Sequence, residues 1–92
     1  MAIKILKITL SQLQKMQNVC SIEEMDSIVT EVNDSILEQT WKTVKRDWNE
    51  KRKDFIKNSL NKLKDLFEDF LHTDRVKAHI ALHESALRVL QS

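Results

Sequence analysis

The sequence predicts an all-α fold: a small helical bundle with a long bent or coiled-coil-like helix and a C-terminal helical hairpin. Three observations predict it. Glycine and proline are both absent from the 92 residues, so tight turns with positive φ have no inexpensive residue and hairpin-rich β folds lack their turn chemistry. Serines followed three residues later by Glu or Gln mark helix starts. Apolar residues recur at helical spacing through most of the chain.

Residues 3–10 carry Ile3, Ile5, Ile8 and Leu10, partly alternating and β-branched, which suits an extended or frayed arm over 1–10. Ser11-x-x-Gln14, Ser21-x-x-Glu24 and Ser35-x-x-Glu38 fit the capping-box pattern, which places helices near 12–19, near 22–33 and from 36 onward. From residue 36 no glycine or proline interrupts the chain. Leu37, Trp41, Val44, Trp48 and Phe55 follow a heptad-like seam. Ile56, Leu60, Leu63, Phe67 and Phe70 continue on a face rotated by roughly a quarter turn. One helix from 36 to about 71, bent near Phe55, accommodates both stripes. The stripe of Val76, Ile80, Leu87 and Leu90 is displaced again, so the chain breaks at "HTDR". Thr73 or Asp74 then caps a final helix near 75–90. Residues 60–71 and 76–90 are expected to form an antiparallel hairpin. The whole reads as a single helical domain, 1–92.

Charge is segregated although the net is only +1. Residues 21–41 hold Glu23, Glu24, Asp26, Glu31, Asp34 and Glu38 with no Lys or Arg, whereas residues 42–64 are strongly basic. Two arrangements satisfy this: the acidic helix lies beside the basic one, or it meets the basic block of another molecule.

Function classes narrow by exclusion. Without glycine there is no phosphate-cradling loop, dinucleotide fingerprint or nucleophile elbow. No spacing assembles a catalytic triad, so the chain is read as a non-enzyme, and no cofactor is called for. The one cysteine, Cys20, cannot form an internal disulfide, and "MAIKILKITL" lacks an uninterrupted apolar core, which suits an intracellular, non-secreted protein. No apolar run approaches the roughly 20 residues a bilayer requires, so no membrane partner is expected.

The leading expectation is a protein–protein interaction module: an adaptor, an inhibitor or a small assembly subunit. Its partner is another protein or a second copy, so a homo-oligomer or a subunit of a complex is expected. The apolar helix faces exceed what 92 residues easily cover internally. The candidate anchors are Leu37, Trp41, Val44, Trp48, Phe55, Phe67 and Phe70, because aromatics dominate interface energetics. An alternative is a nucleic-acid-binding regulator. It would act through Lys42, Lys45, Arg46, Lys51, Arg52, Lys53 and Lys57, with cations neutralising phosphates beside stacking aromatics. A third reading is a metal or pH switch. His79 and His83, four apart, point to one side of a helix and are candidate metal ligands. Yet they also fall within the apolar stripe, where packed imidazoles belong. Structural zinc needs four ligands, and Glu84 projects away from His83.

Overall fold

Thr9, Ser21 and Asp34 each hold an extended backbone and accept a hydrogen bond from the amide three residues on; a helix begins after each. The side-chain oxygen satisfies one of the amides that a helix start leaves without an internal partner. The computed structural model describes residues 8–66 and 74–91. Its helices are α1 (Leu10–Asn18), α2 (Ile22–Val32), α3 (Ser35–Asn49), α4 (Lys53–Leu66) and α5 (Asp74–Gln91), with no strand among the described residues. The arm expected over 1–10 lies outside the described residues as far as residue 7.

Two of the expected caps move. At α1 the box is Thr9-x-x-Gln12, with both halves closed: Gln12 N–H donates to Thr9 Oγ1 at 3.0 Å and Thr9 N–H donates to Gln12 Oε1 at 3.1 Å. Ser11 lies inside the helix. At α3 the cap is Asp34, whose Oδ1 accepts from Leu37 N–H at 2.9 Å. A carboxylate is the stronger acceptor for a helix start, so Ser35 becomes the first helical residue. Ser21 caps α2 as expected.

The long helix is two helices. After Asn49, Lys51 takes the left-handed conformation at φ 58°. Lys51 N–H donates to the carbonyl of Trp48 at 3.0 Å, and Arg52 N–H to that of Asp47 at 2.8 Å. This is the Schellman termination, normally built on glycine. The chain has none, so a lysine bears the left-handed backbone at a cost of roughly 1–2 kcal/mol. The stripe rotation at Phe55 signalled this break, six residues past the last residue of α3. Asn33, at φ 56°, ends α2 in the same conformation. A single straight rod over 36–71 would run about 54 Å, whereas the longest dimension of the molecule is 37 Å. The radius of gyration, 12.4 Å, matches the roughly 12 Å expected of a compact chain of this length. The packing is therefore that of a bundle and not of a coiled-coil arm.

α5 is the hub, packed against α1, α3 and α4. Ala78, Ala81 and Ala86 are buried; their small side chains let neighbouring helices approach on more than one side. This explains why α5 lacks a clean polar face. Leu63 lines a cleft with Val76 and His79, while Leu60 lies with Leu87, so α4 and α5 run antiparallel. The expected hairpin is present over the described part; residues 67–71 lie outside it. Ser85 Oγ donates to the carbonyl of Met16 at 2.6 Å, and Arg88 donates to the carbonyls of Gln17 and Val19. These bonds satisfy carbonyls at the end of α1 that have no helical partner. Met16 and Met25 are fully buried core residues.

Leu37, Trp41, Val44 and Trp48 do face one seam, and that seam is closed by the chain itself. All four are buried in the core with Met25, Ile28 and Val29 of α2. Trp41 and Trp48 meet edge to face, centroids 5.9 Å apart at 77°, a geometry that contributes about 0.5–1.5 kcal/mol beyond burial.

Candidate functional site

The acidic and basic blocks meet within the chain at Asp26. Its Oδ1 accepts from Trp41 Nε1 at 2.7 Å, and both carboxylate oxygens accept from Lys45 Nζ at 3.0 Å. Burial works to raise the Asp26 pKa, but the bonds from Trp41 and Lys45, with the Lys45 charge, outweigh it and hold the carboxyl below its usual range. The indole N–H thus has a partner inside the bundle.

A second polar junction joins α3 to α5. Asp34, 7% exposed, accepts from Arg75 through two nitrogens at 3.0 and 3.2 Å. It also caps Leu37. Burial raises its pKa, and the bonds from Arg75 and from the Leu37 amide overcome that and lower it. One turn along α5 lies His79. Burial, then the neighbouring His83 and Arg75, push its pKa from 6.5 to about 4, against a smaller pull from Asp34. His79 is therefore a neutral imidazole at pH 7, and its Nε2 is buried with no hydrogen-bond partner among the described residues. His83 Nδ1 lies 2.7 Å from the carbonyl of His79; a carbonyl only accepts, so this nitrogen carries the proton. Burial also lowers the His83 pKa, opposed by that hydrogen bond and by Asp47. Both histidines are packed, and among the described residues no group of three or more His, Cys, Asp or Glu could hold a metal ion.

Beside this junction α3, α4 and α5 leave a cleft of about 430 Å³. Its walls are mostly apolar. Ile36, Leu63 and Val76 supply hydrocarbon, and Thr40, Ser59, Lys62, Arg75 and the two histidines supply polar atoms. Periodicity gave no warning of it, because its lining comes from three helices.

The third place is the turn from α3 to α4. Phe55 is 52% exposed, the one member of the aromatic stripe on the surface among the described residues. Phe67 and Phe70 lie outside them. The Arg52 guanidinium sits 5.2 Å from the centre of the Phe55 ring and pairs with Glu50 at 2.8 Å. Lys51, Arg52, Lys53 and Phe55 border one shallow depression with Asp54. The basic set divides around it. Lys45 is occupied by Asp26; Lys42 and Arg46 are exposed one turn apart on α3; Lys57 is exposed one turn beyond Lys53 on α4. The positive end of the α4 dipole lies at the same turn.

Among the described residues no helix is long and apolar enough to cross a membrane. Comparison with protein-family models, with curated proteins and with solved structures gave no match.

Proposed function

We propose that the chain is a non-enzymatic interaction module that binds an acidic protein surface at the α3–α4 turn. One observation carries the reading: an exposed phenyl ring, 52% open to solvent, lies beneath a guanidinium in a turn of three consecutive cations, Lys51, Arg52 and Lys53. An aromatic anchor ringed by charge is the usual composition of an interface hot spot and its rim. Lys51 supports the reading too, since a strained backbone at an exposed turn places that side chain where an ordinary helix would not. Leu37, Trp41, Val44 and Trp48 serve the core, so Phe55 is the anchor.

Duplex nucleic acid is the second reading, favoured by the same cations. Glu50 and Asp54, which flank the three cations, repel phosphates and acidic side chains alike; the exposed ring of Phe55 is what weighs toward protein. The two separate by titration with a set of acidic 12-residue peptides bearing one aromatic or leucine anchor, and with a 20-base-pair DNA duplex. Peptide binding should fall about tenfold or more in Phe55→Ala, with modest salt dependence. Tight DNA binding with a steep salt slope, indifferent to Phe55, would establish the other reading.

A further inference from the structure

We propose that the cleft between α3, α4 and α5 is a small-molecule site for an aliphatic carboxylate of medium chain length. Its volume, about 430 Å³, lies within the roughly 300–1,000 Å³ of ligand pockets. Hydrocarbon from Ile36, Leu63 and Val76 lines it, and Ile36 is 44% exposed, so apolar surface there is still in contact with water. Burying each methylene of a chain against such walls is worth about 0.8 kcal/mol.

The polar groups select the head. Arg75 also borders the cleft, but its charge is matched by Asp34 through two hydrogen bonds. Lys62 is exposed and forms no ion pair among the described residues. The Thr40 hydroxyl proton is committed to the Ile36 carbonyl at 3.2 Å, whereas the exposed Ser59 hydroxyl keeps a proton to donate among the described residues. One cation and one hydroxyl donor beside an apolar trough match a carboxylate on a hydrocarbon tail, and they match neither a cationic head nor a phosphate needing several donors. His79 adds an independent mark. It lines the cleft, it is 8% exposed, and its Nε2 has no hydrogen-bond partner among the described residues. An orphaned buried nitrogen against a binding wall calls for an explanation, and in the Nε2–H tautomer it would donate to the carboxylate head, since a carboxylate only accepts.

The test is a titration of the full chain with sodium decanoate, kept below its micellar concentration, followed by two-dimensional NMR. Decanol serves as the uncharged comparison. Saturable shifts at the Leu63 and Val76 methyls and the His79 imidazole are expected. Lys62→Gln should weaken decanoate about three- to fivefold, the worth of an exposed ion pair, and leave decanol unchanged. The substitution is at an exposed position, so an unaltered melting curve accompanies it. Absence of saturable shifts at these residues, or equal decanoate affinity in Lys62→Gln, overturns the proposal. So do shifts at the same residues that follow protein concentration alone, which assign the cleft to a second copy of the chain.

Discussion

The buried His79 should make this protein lose stability as the pH falls below 6.5, a window that begins above the range in which carboxylates titrate. The imidazole is buried, beside Arg75 and His83, and titrates near 4 when folded against 6.5 when unfolded. Between those values the unfolded chain binds a proton that the folded chain refuses, so stability falls as pH falls. The contribution is complete above pH 6.5, declines by up to about 1.4 kcal/mol per pH unit through the window, and is gone below about pH 4. A displacement from 6.5 to about 4 corresponds to about 3 kcal/mol. That is a large part of the roughly 5–14 kcal/mol available to 92 residues. His83, lowered in the same direction, adds to the slope. Asp26 and Asp34 are lowered below the ordinary 3.8, so their contributions are lost only as pH falls below that range. Urea unfolding at pH 7.5, 6.5, 5.5 and 4.5 reads the loss, with emission from the buried Trp41 and Trp48 as probe. His79→Gln, neutral throughout, should remove most of the slope. A stability constant from pH 7 to 5, or an undiminished slope in His79→Gln, would refute the reasoning.

Lys51→Gly should stabilise by about 1 kcal/mol, raising the melting temperature, because glycine bears a positive φ without steric cost. Asp34→Ala should cost about 3 kcal/mol in urea unfolding, about 1 for the lost cap and the rest for the two charge-assisted hydrogen bonds that Asp34 accepts from Arg75. Trp41→Phe removes a donor from Asp26 and Lys45→Gln removes its countercharge. The first should cost about 2 kcal/mol, since it also loses packing, and the second under about 1, because both ends of that ion pair are about two-fifths exposed. A larger loss for Lys45→Gln than for Trp41→Phe would show that the ion pair, more than the indole, positions Asp26.

The stretch "AHIALHE" illustrates how far residues alone go. Four-residue spacing put His79 and His83 on one side of a helix, and the apolar stripe around them pointed to packing; both are buried as that stripe requires. The fall in the His79 pKa comes partly from Arg75, whose own orientation is set by Asp34, 41 residues earlier. Nothing local to α5 encodes that neighbour. The same limit applied to the stripe Leu37, Trp41, Val44 and Trp48. Its existence was legible at heptad spacing, but whether it faced α2, a second copy or a partner depended on how the α2–α3 turn closes. Asn33 in the left-handed conformation closes it so that Met25, Ile28 and Val29 cover the indoles.

The sequence by itself determined helicity, the position of the α2 cap and the apolar stripe along each helix. Each of these rests on interactions within one or two turns, which composition and spacing specify directly. Only the tertiary structure decided that α5 is the hub, that Lys51 breaks the long helix, that Phe55 remains exposed and that three helices leave a cleft beside His79. Those features arise from contacts such as Ser85 with Met16, 69 residues apart. Their partners are selected by the packing of whole elements, and no local pattern of residues carries that information.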